Sequence, residues 1–466
     1  MALSRRTFLK RAAAAGLLAA AGCGPPTADR APAARPNFLF ILADDLGYGD
    51  VGCYGCPDIQ TPHLDRLAAQ GMRFTDFYAA APVCSPTRAA LMTGRNPARA
   101  GVENALTYQE KGAGLAPGGA TLASRLRDAG YTTGLSGKWH LGYDTGRRPM
   151  QQGFDHFFGL LGGNHHYFAH MDRIGVPDLW LGDEPVRRAG YTTDLLTDDA
   201  VAFLGRHRDR PFFLYLSHAA PHFPWQGPDD ADRVVKPKHP SWQTGSRDTY
   251  VAMVERMDEG IGRVLDELKR LGLDAGTLVV FTSDNGGHTY SRNAPLAGEK
   301  ATLWEGGIRE PCIARWPGVI PAGTTSAQVG VTMDWTATFL ALAGAAPPEP
   351  LDGIDLMPAL RSPQHNVPRT LYWRRVKGRY RRNVLEQRAV RDGPWKYLEE
   401  PDGRPHLFDL ENDIAEAHDL AAERPEIVKR LRAMLDRWQR TLPASDPAAP
   451  AAPAAPGAPV GPDAPS

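Results

Sequence analysis

The chain has 466 residues, 42% of them hydrophobic, enough to bury a large core and to form one large domain with a smaller companion. Its 53 basic and 53 acidic residues cancel, which removes the bulk electrostatic case for a nucleic-acid partner and makes any anion recognition local. Five cysteines, at positions 23, 53, 56, 84 and 312, are too sparse for a disulfide scaffold. Cys53-Tyr54-Gly55-Cys56 has no second pair at zinc-site distance and reads as loop cysteines.

In chain order, Ser4-Arg5-Arg6-Thr7-Phe8-Leu9-Lys10 precedes an Ala/Leu run over residues 12–21. Twin arginines before a short apolar segment look like a bacterial twin-arginine export signal. The run is about 10 residues against the roughly 20 of a membrane span, so it reads as a cleavable segment. Ala20-Ala21-Gly22-Cys23 also resembles a lipoprotein cleavage box, so Cys23 is a candidate lipid anchor, with ordinary cleavage nearby as the equal alternative.

Asn37-Phe38-Leu39-Phe40-Ile41-Leu42-Ala43 is a continuous apolar run, as expected of a strand covered on both faces in a parallel sheet, and it ends in Asp44-Asp45. Thr61-Pro62 predicts the cap of a helix that closes at Gly71, and residues 72–78 read as a strand. Ser85-Pro86 is a helix-start signal with Gly94 as its stop. Cys84 then sits at the amino end of a short helix, where unpaired N–H groups and the dipole favour an anion. Arg88, four residues on, can return along the same face toward Cys84. Thr121 opens another helix, Gly130 closes it, and an extended segment over 131–137 runs into Lys138-Trp139-His140. Residues 193–207 read as helix and 211–216 as a buried strand, while Val251, Val254, Ile261, Val264 and Leu268 mark one face of a long helix. A second deep strand over 277–282 ends in Ser283-Asp284-Asn285-Gly286-Gly287.

This alternation predicts an α/β fold, a large α/β/α sandwich with a mostly parallel central sheet. Beyond about residue 363 shorter runs, Leu371-Tyr372-Trp373, Ala389-Val390-Arg391 and Trp395-Lys396-Tyr397-Leu398, predict a small antiparallel sheet, with a helical stripe from Ile427 to pack on it. The expected divisions are an export signal (1–23), a Pro/Ala linker (24–36), the large α/β domain (37–363), an α+β subdomain (364–442) and a disordered Pro/Ala tail (443–466).

Two deep strands thus end in oxygen ligands, and in open α/β sheets ligands gather at the carboxyl ends of strands, so Asp44, Asp45, Asp284 and Asn285 could meet there. Three carboxylates and an amide suit a hard cation, Ca²⁺ or Mg²⁺. Lys138 and His140, two apart on an extended segment, share a side. Each pair alone would read as a loop, a helix cap or a solvated face; the combination carries the signal.

Cys84-Ser85-Pro86-Thr87-Arg88 resembles the Cys-x-Pro-x-Arg signature of type I sulfatases, and Gly137-Lys138-Trp139-His140-Leu141-Gly142 matches their second signature. Gly298-Glu299-Lys300 before Trp304-Glu305-Gly306-Gly307 is similar to the family's glycine-flanked lysine, and Leu407-Phe408-Asp409-Leu410 with Asp419-Leu420-Ala421 looks like its C-terminal ending. The resemblance spans residues 37–420 and implies the alkaline-phosphatase-like superfamily. It implies that a maturation enzyme oxidises Cys84 to formylglycine, whose hydrate is the nucleophile, and that Asp44, Asp45, Asp284, Asn285 and the converted Cys84 hold a metal, usually calcium. Arg88 and His140 would attend the hydrate, and Lys138 and Lys300 would bind sulfate oxygens. The family's leaving-group histidine precedes a residue and then a proline, which fits His222-Phe223-Pro224 better than His218.

The reaction implied is hydrolysis of an aryl or carbohydrate sulfate monoester: the hydrate attacks sulfur, His222 protonates the departing alcohol, and the second hydroxyl expels sulfate. The texture is nearest to arylsulfatase and N-acetylgalactosamine-6-sulfatase-like members. Residues 162–168 could line a sugar pocket or form a structural loop, and the basic, aromatic residues 373–382 could hold an anionic glycan or form a solvated face. The alternatives are a phosphodiesterase or phosphonate monoester hydrolase using the same aldehyde, and a non-catalytic sulfated-glycan binding protein with Cys84 unmodified. Passage of the folded chain through the twin-arginine translocase would fit a residue matured in the cytoplasm, with a periplasmic or lipid-anchored destination.

Overall fold

In a computed structural model, which describes residues 35–347, 350–379 and 382–443, the apolar run Asn37–Ala43 forms the central strand of a ten-stranded sheet, every residue of it buried. The export signal, Cys23, the linker to residue 34 and the tail from residue 444 lie outside the described residues. Among the described residues no helix is long and apolar enough to cross a membrane.

The central strand pairs in parallel with Phe212–Ser217 on one side and Thr277–Ser283 on the other. Thr132–Lys138 and then His156–Leu160 extend the parallel sheet beyond Phe212–Ser217. On the opposite flank Cys312–Arg315 runs antiparallel to Thr277–Ser283, so the sheet is mostly but not wholly parallel. The central strand's alternation sorts its side chains to two cores. Leu39, Ile41 and Ala43 pack with the helices Thr192–Arg206 and Arg247–Arg270 on one face. Phe38, Phe40 and Leu42 pack with Cys84–Thr93, Leu122–Asp128 and Asp334–Ala343 on the other. This is the predicted α/β/α sandwich.

The C-terminal sheet is antiparallel in the order Thr370–Arg379, Arg382–Asp392, Trp395–Glu399, Pro405–Asp409. The stripe of Leu431, Leu435 and Trp438 on Pro425–Arg440 packs on it against Val390, Tyr397 and Leu407. Its opposite face, through Leu371, Trp373, Ala389 and Leu398, packs against Tyr78, Ile308 and Val331 of the large layer.

Beneath that contact lies a buried ionic network. Lys396 Nζ stands 2.8 Å from Glu305 Oε1 and 2.7 Å from Glu416 Oε1, all three side chains being nearly or wholly buried. Glu305 Oε2 accepts from Tyr78 Oη at 2.7 Å and from Arg309 at 3.0 Å, and Arg391 reaches Asp76 at 2.6 Å. Glu305 opens the short helix Glu305–Ile308 directly after the segment that carries Lys300. The small sheet therefore fixes part of the site-bearing chain.

Candidate active site

Register brings the site together. Ala43 pairs with Ser283, Leu42 with Ser217, and Gly137 with Ser217, so four adjacent parallel strands end at one level. The chains leaving those ends are stitched to one another: Asp284 N donates to Ala43 O, His218 N to Leu42 O and Asp44 N to Ala220 O. Asp45 and His140, just past two strand ends, hold positive φ angles of 63° and 57°. A non-glycine residue there stores about 1–3 kcal/mol of strain that surrounding structure must hold.

The helix Cys84–Thr93 starts two residues earlier than its Ser-Pro signal suggests. Val83 is its N-cap, and Gly94 closes it at φ 68°. Ser85 does not cap; its Oγ accepts from Leu106 N at 3.1 Å, because the helix is buried over residues 84–92 and the hydroxyl finds a neighbouring loop instead. Thr87 ties the approach, exchanging hydrogen bonds with the backbone of Ala81 at 3.1 and 2.9 Å. Cys84 sits in the first turn, 2% exposed, where burial pushes its thiol pKa up over the opposing pull of Lys138 and Lys300.

Ligand atoms of Asp44, Asp45, Cys84 and His222 all lie within 4.8 Å of one another. Asp284 and Asn285 flank this group. Asp284 Oδ1 accepts from Asp45 N at 3.3 Å, and Asn285 Nδ2 donates to Asp45 Oδ1 at 2.8 Å. Asp44 Oδ1 and Asn285 Oδ1 are buried oxygens without a hydrogen-bond partner. Such oxygens are costly unless something satisfies them, and a hard cation with oxygen ligands would do so. Burial, with Asp284 and Asp45 adding repulsion against the opposing pull of Lys138 and Arg88, pushes the Asp44 carboxyl up to about 8. A cation among these groups would favour its ionised form.

Three cations oppose the carboxylates. Lys138 Nζ lies 2.5 Å from Asp44 Oδ2, and Lys300 Nζ lies 2.6 Å from both oxygens of Asp45. Burial raises the Asp45 pKa, but Lys300 and His222 outweigh it and hold the carboxyl below its usual range. Arg88, wholly buried, donates through Nε to Asp284 Oδ2 at 2.9 Å and through Nη1 to Lys138 O at 3.1 Å and Ser217 Oγ at 2.6 Å. Its hydrogen bonds thus orient Asp284 and the Lys138 backbone.

Two histidines have defined roles for their nitrogens. His140 Nε2 faces Leu106 O at 2.8 Å, which assigns its proton there and leaves the buried, unpartnered Nδ1 as an acceptor. His222 Nδ1 faces Phe223 O at 2.7 Å, so Nε2, 3.5 Å from Asp45 Oδ2, is the nitrogen turned to the site. Burial drives both pKa values well below the ordinary 6.5. His218 is wholly buried, with neither ring nitrogen hydrogen-bonded, and does not join the four-residue group.

Sequence reasoning missed two groups. Ser217 holds both Arg88 and the Lys138 carbonyl; its place one residue past the buried run was the available signal. Glu310 is wholly buried with both carboxyl oxygens unpartnered, and burial, with Asp284 and Asp45 adding to it, raises its pKa well above 4.5. No spacing pointed to it. The histidines of the 162–168 loop are structural: His165 bonds Thr192 Oγ1 and Asp178 O, and His166 Nδ1 accepts from Phe168 N and Ala169 N. In the 373–382 cluster Trp373 is buried and bonds Ala79 O, and Arg374 and Arg375 pair with Glu103 and Glu386. The side chains of Arg379 and Arg381 lie outside the described residues.

The buried histidines set an acid limit. Burial lowers His218 to about 4 and His165 to about 3, so the unfolded chain binds their protons first as pH falls below 6.5. Stability is therefore present above pH 6.5 and lost toward pH 4, with unfolding taking up about two protons from this pair. Denaturant unfolding at pH 7, 5.5 and 4.5 measures it; a free energy flat across that window would contradict the assignment.

Carboxylates opposed by cations around a helix-start cysteine, at the carboxyl edge of such a sheet, suit an enzyme that hydrolyses an anionic ester. Comparison with known proteins narrows that class. The Sulfatase family model matches residues 36–345, and the chain belongs to that family. The model for N-sulphoglucosamine sulphohydrolase, C-terminal, matches residues 298–441. Canis lupus familiaris N-acetylgalactosamine-6-sulfatase is 38% identical over 386 residues, 77% of this chain and 71% of that protein. Homo sapiens arylsulfatase A is 33% identical over 466 residues, 87% of this chain and 88% of that protein. The crystal structure of Ps i-CgsB superposes with a TM-score of 0.78 at 34% identity, covering 87% of this chain and 92% of that one. The chain is an enzyme of the sulfate-ester hydrolase class.

Proposed function

We propose that the chain hydrolyses sulfate monoesters through a formylglycine made from Cys84, with a calcium ion held by Asp44, Asp45, Asp284 and Asn285 beside it. The observation that carries the reading is the convergence of Asp44, Asp45, Cys84 and His222 within 4.8 Å, with Lys138 and Lys300 in contact with the carboxylates. Unmodified, the buried thiol has its pKa raised and is a weak nucleophile. Oxidised and hydrated, the same position supplies a hydroxyl. Bound calcium would supply Lewis-acid stabilisation of negative charge at that oxygen.

The side chains supply the rest. Lys138 and Lys300 stand where sulfate oxygens would exchange contacts with the carboxylates, and the amino end of Cys84–Thr93 adds its dipole. Arg88 keeps Asp284 oriented. His140 accepts a proton at Nδ1, its other nitrogen being committed to Leu106 O. His222 delivers a proton through Nε2 to the leaving oxygen; the negative charge of a bound sulfate ester favours the protonated ring that burial disfavours. The twin arginines and Cys23 support an exported enzyme, periplasmic or lipid-anchored.

Parallel initial rates on an aryl sulfate, a hexose sulfate and an aryl phosphodiester test the reading, and a preference for the phosphodiester would replace it with the phosphodiesterase alternative. His222→Ala is expected to lower kcat about 10²–10⁴-fold on the sugar alcohol and far less on 4-nitrophenyl sulfate, whose leaving group departs without a proton. Equal losses on both would remove His222 from the acid role.

A further inference from the structure

Three ties hold the turn Ala219–His222, which carries the proposed proton donor. His222 N closes the turn on Ala219 O at 3.0 Å, and Asp44 N donates to Ala220 O at 3.1 Å. The third tie is a side chain from the 162–168 loop. Tyr167 Oη stands 2.7 Å from Ala219 O and 2.9 Å from His222 O, so its one proton serves both ends of the turn.

Tyr167 is itself firmly built in. It is 1% exposed, and its ring stacks on that of Tyr191 at 5.3 Å. Its amide donates to Gln226 Oε1 at 3.1 Å. Its carbonyl accepts from Thr192 N and Thr192 Oγ1, both at 2.9 Å, at the start of the helix Thr192–Arg206. Burial raises its pKa well above 10, so the hydroxyl stays a donor. A four-residue turn is thus bonded to a post that a helix start and a stacked ring keep in place.

His222 has little else to aim it. Its Nδ1 faces Phe223 O at 2.7 Å and its ring lies against the Phe223 ring at 4.2 Å, and both contacts are to the next residue and travel with the turn. Nε2 reaches beyond the turn only to Asp45 Oδ2, at 3.5 Å, longer than an ordinary hydrogen bond. The place of Nε2 is therefore set by the backbone of the turn. Proton transfer needs the donor within hydrogen-bond reach of the departing oxygen, and a shift of about 1 Å can cost about 10²-fold in rate.

On the sulfatase reading above, we infer that Tyr167 is a positioning residue for His222: its hydroxyl fixes the backbone of the turn Ala219–His222 so that Nε2 meets the leaving oxygen. Tyr167 acts through His222 and not on the ester itself. Its hydroxyl therefore matters to rate only where the departing oxygen needs a proton.

The test measures kcat and KM of the matured full chain on sulfates of increasingly basic phenols, 4-nitrophenyl, phenyl and 4-methoxyphenyl sulfate. Tyr167→Phe keeps the stacked ring and removes the hydroxyl. It is expected to lower kcat about 10- to 10²-fold on the most basic leaving group, to leave kcat on 4-nitrophenyl sulfate nearly unchanged, and to leave KM in place. In a His222→Ala background the same change should cost nothing further, because the two residues act as one unit. No loss, a loss equal across the series, or a loss that persists without His222 overturns the inference. Gly163→Ala controls for damage to the same loop: its Cβ would stand 2.6 Å from His140 Nε2, and its loss should be equal across the series. A dependence on the leaving group there too would take the effect away from Tyr167. Should circular dichroism show Tyr167→Phe unfolded, Gln226→Leu, which frees Tyr167 N and keeps the hydroxyl, carries the same test with a smaller loss of the same dependence. The ring-nitrogen NMR signals of His222, assigned by their absence in His222→Ala, should move in Tyr167→Phe whether or not any ester is turned over, and unmoved signals overturn the inference. A matured wild type that hydrolyses no sulfate ester would remove the sulfatase reading and leave that coupling standing. A leaving-group-dependent loss in His222→Ala with none in Tyr167→Phe would do the reverse.

Discussion

Replacing Cys84 with alanine is expected to lower sulfate-ester turnover by at least about 10⁴-fold, because on the proposed mechanism it removes the side chain from which the nucleophile is made. The fold should survive: Cys84 is one small buried side chain on a helix that Ala89, Leu91 and Met92 anchor in the sheet-facing core. Initial rates on 4-nitrophenyl sulfate, with circular dichroism to confirm folding, measure the effect. Mass spectrometry of the Cys84 peptide from the native host reads the chemistry directly. An aldehyde residue is expected; thiol alone in active enzyme, or full activity in Cys84→Ala, would refute the nucleophile assignment.

The second large effect lies far from the reacting atoms. Lys396→Met should destabilise the chain by about 3–5 kcal/mol, since it leaves Glu305 and Glu416 facing one another in the interior without their shared ammonium. Against burial, Lys396 leads the attractions that bring Glu305 down to about 2, whereas burial keeps Glu416 up at about 7. Denaturant unfolding measures the loss. Adding Glu416→Gln should recover part of it, and a loss under about 1 kcal/mol would show that water or a rearranged partner satisfies the pair. Because Glu305 follows the Lys300 segment, KM for sulfate esters should rise as well.

Much of this molecule was legible because its strands are long, apolar and buried on both faces. Asn37–Ala43 and Thr277–Ser283 announce a parallel sheet by composition, and the acidic residues that end them mark the edge where ligands collect. Thr121 was read correctly as a cap and forms a full capping box with Ser124. Ser85 was not, since a capping hydroxyl and a hydroxyl that bonds a distant loop look alike in one dimension. The Glu305–Lys396 contact spans 91 positions, and a cavity lined by Tyr108, Tyr143, Leu161 and Trp180 draws on four separate segments between residues 108 and 180. Contacts of that separation are set by tertiary packing and leave no local periodicity to read. Arg88 shows the intermediate case: its helix position was visible, but its commitment to Asp284 and Ser217 was not.

The shared ammonium of Lys396 has a consequence for how such chains can be rearranged. The two family models overlap over residues 298–345, the stretch that carries both Lys300 and Glu305. A crossover near residue 363, at the visible change of texture, takes Lys396 and Glu416 from one parent and Glu305, with its second partner Arg309, from the other. A cut before residue 298 keeps these groups together but divides the central sheet between Thr277–Ser283 and Cys312–Arg315. Exchange of C-terminal units between relatives, by natural recombination or in a chimera, therefore has to preserve a buried charge match across a boundary that composition alone marks as free to cut.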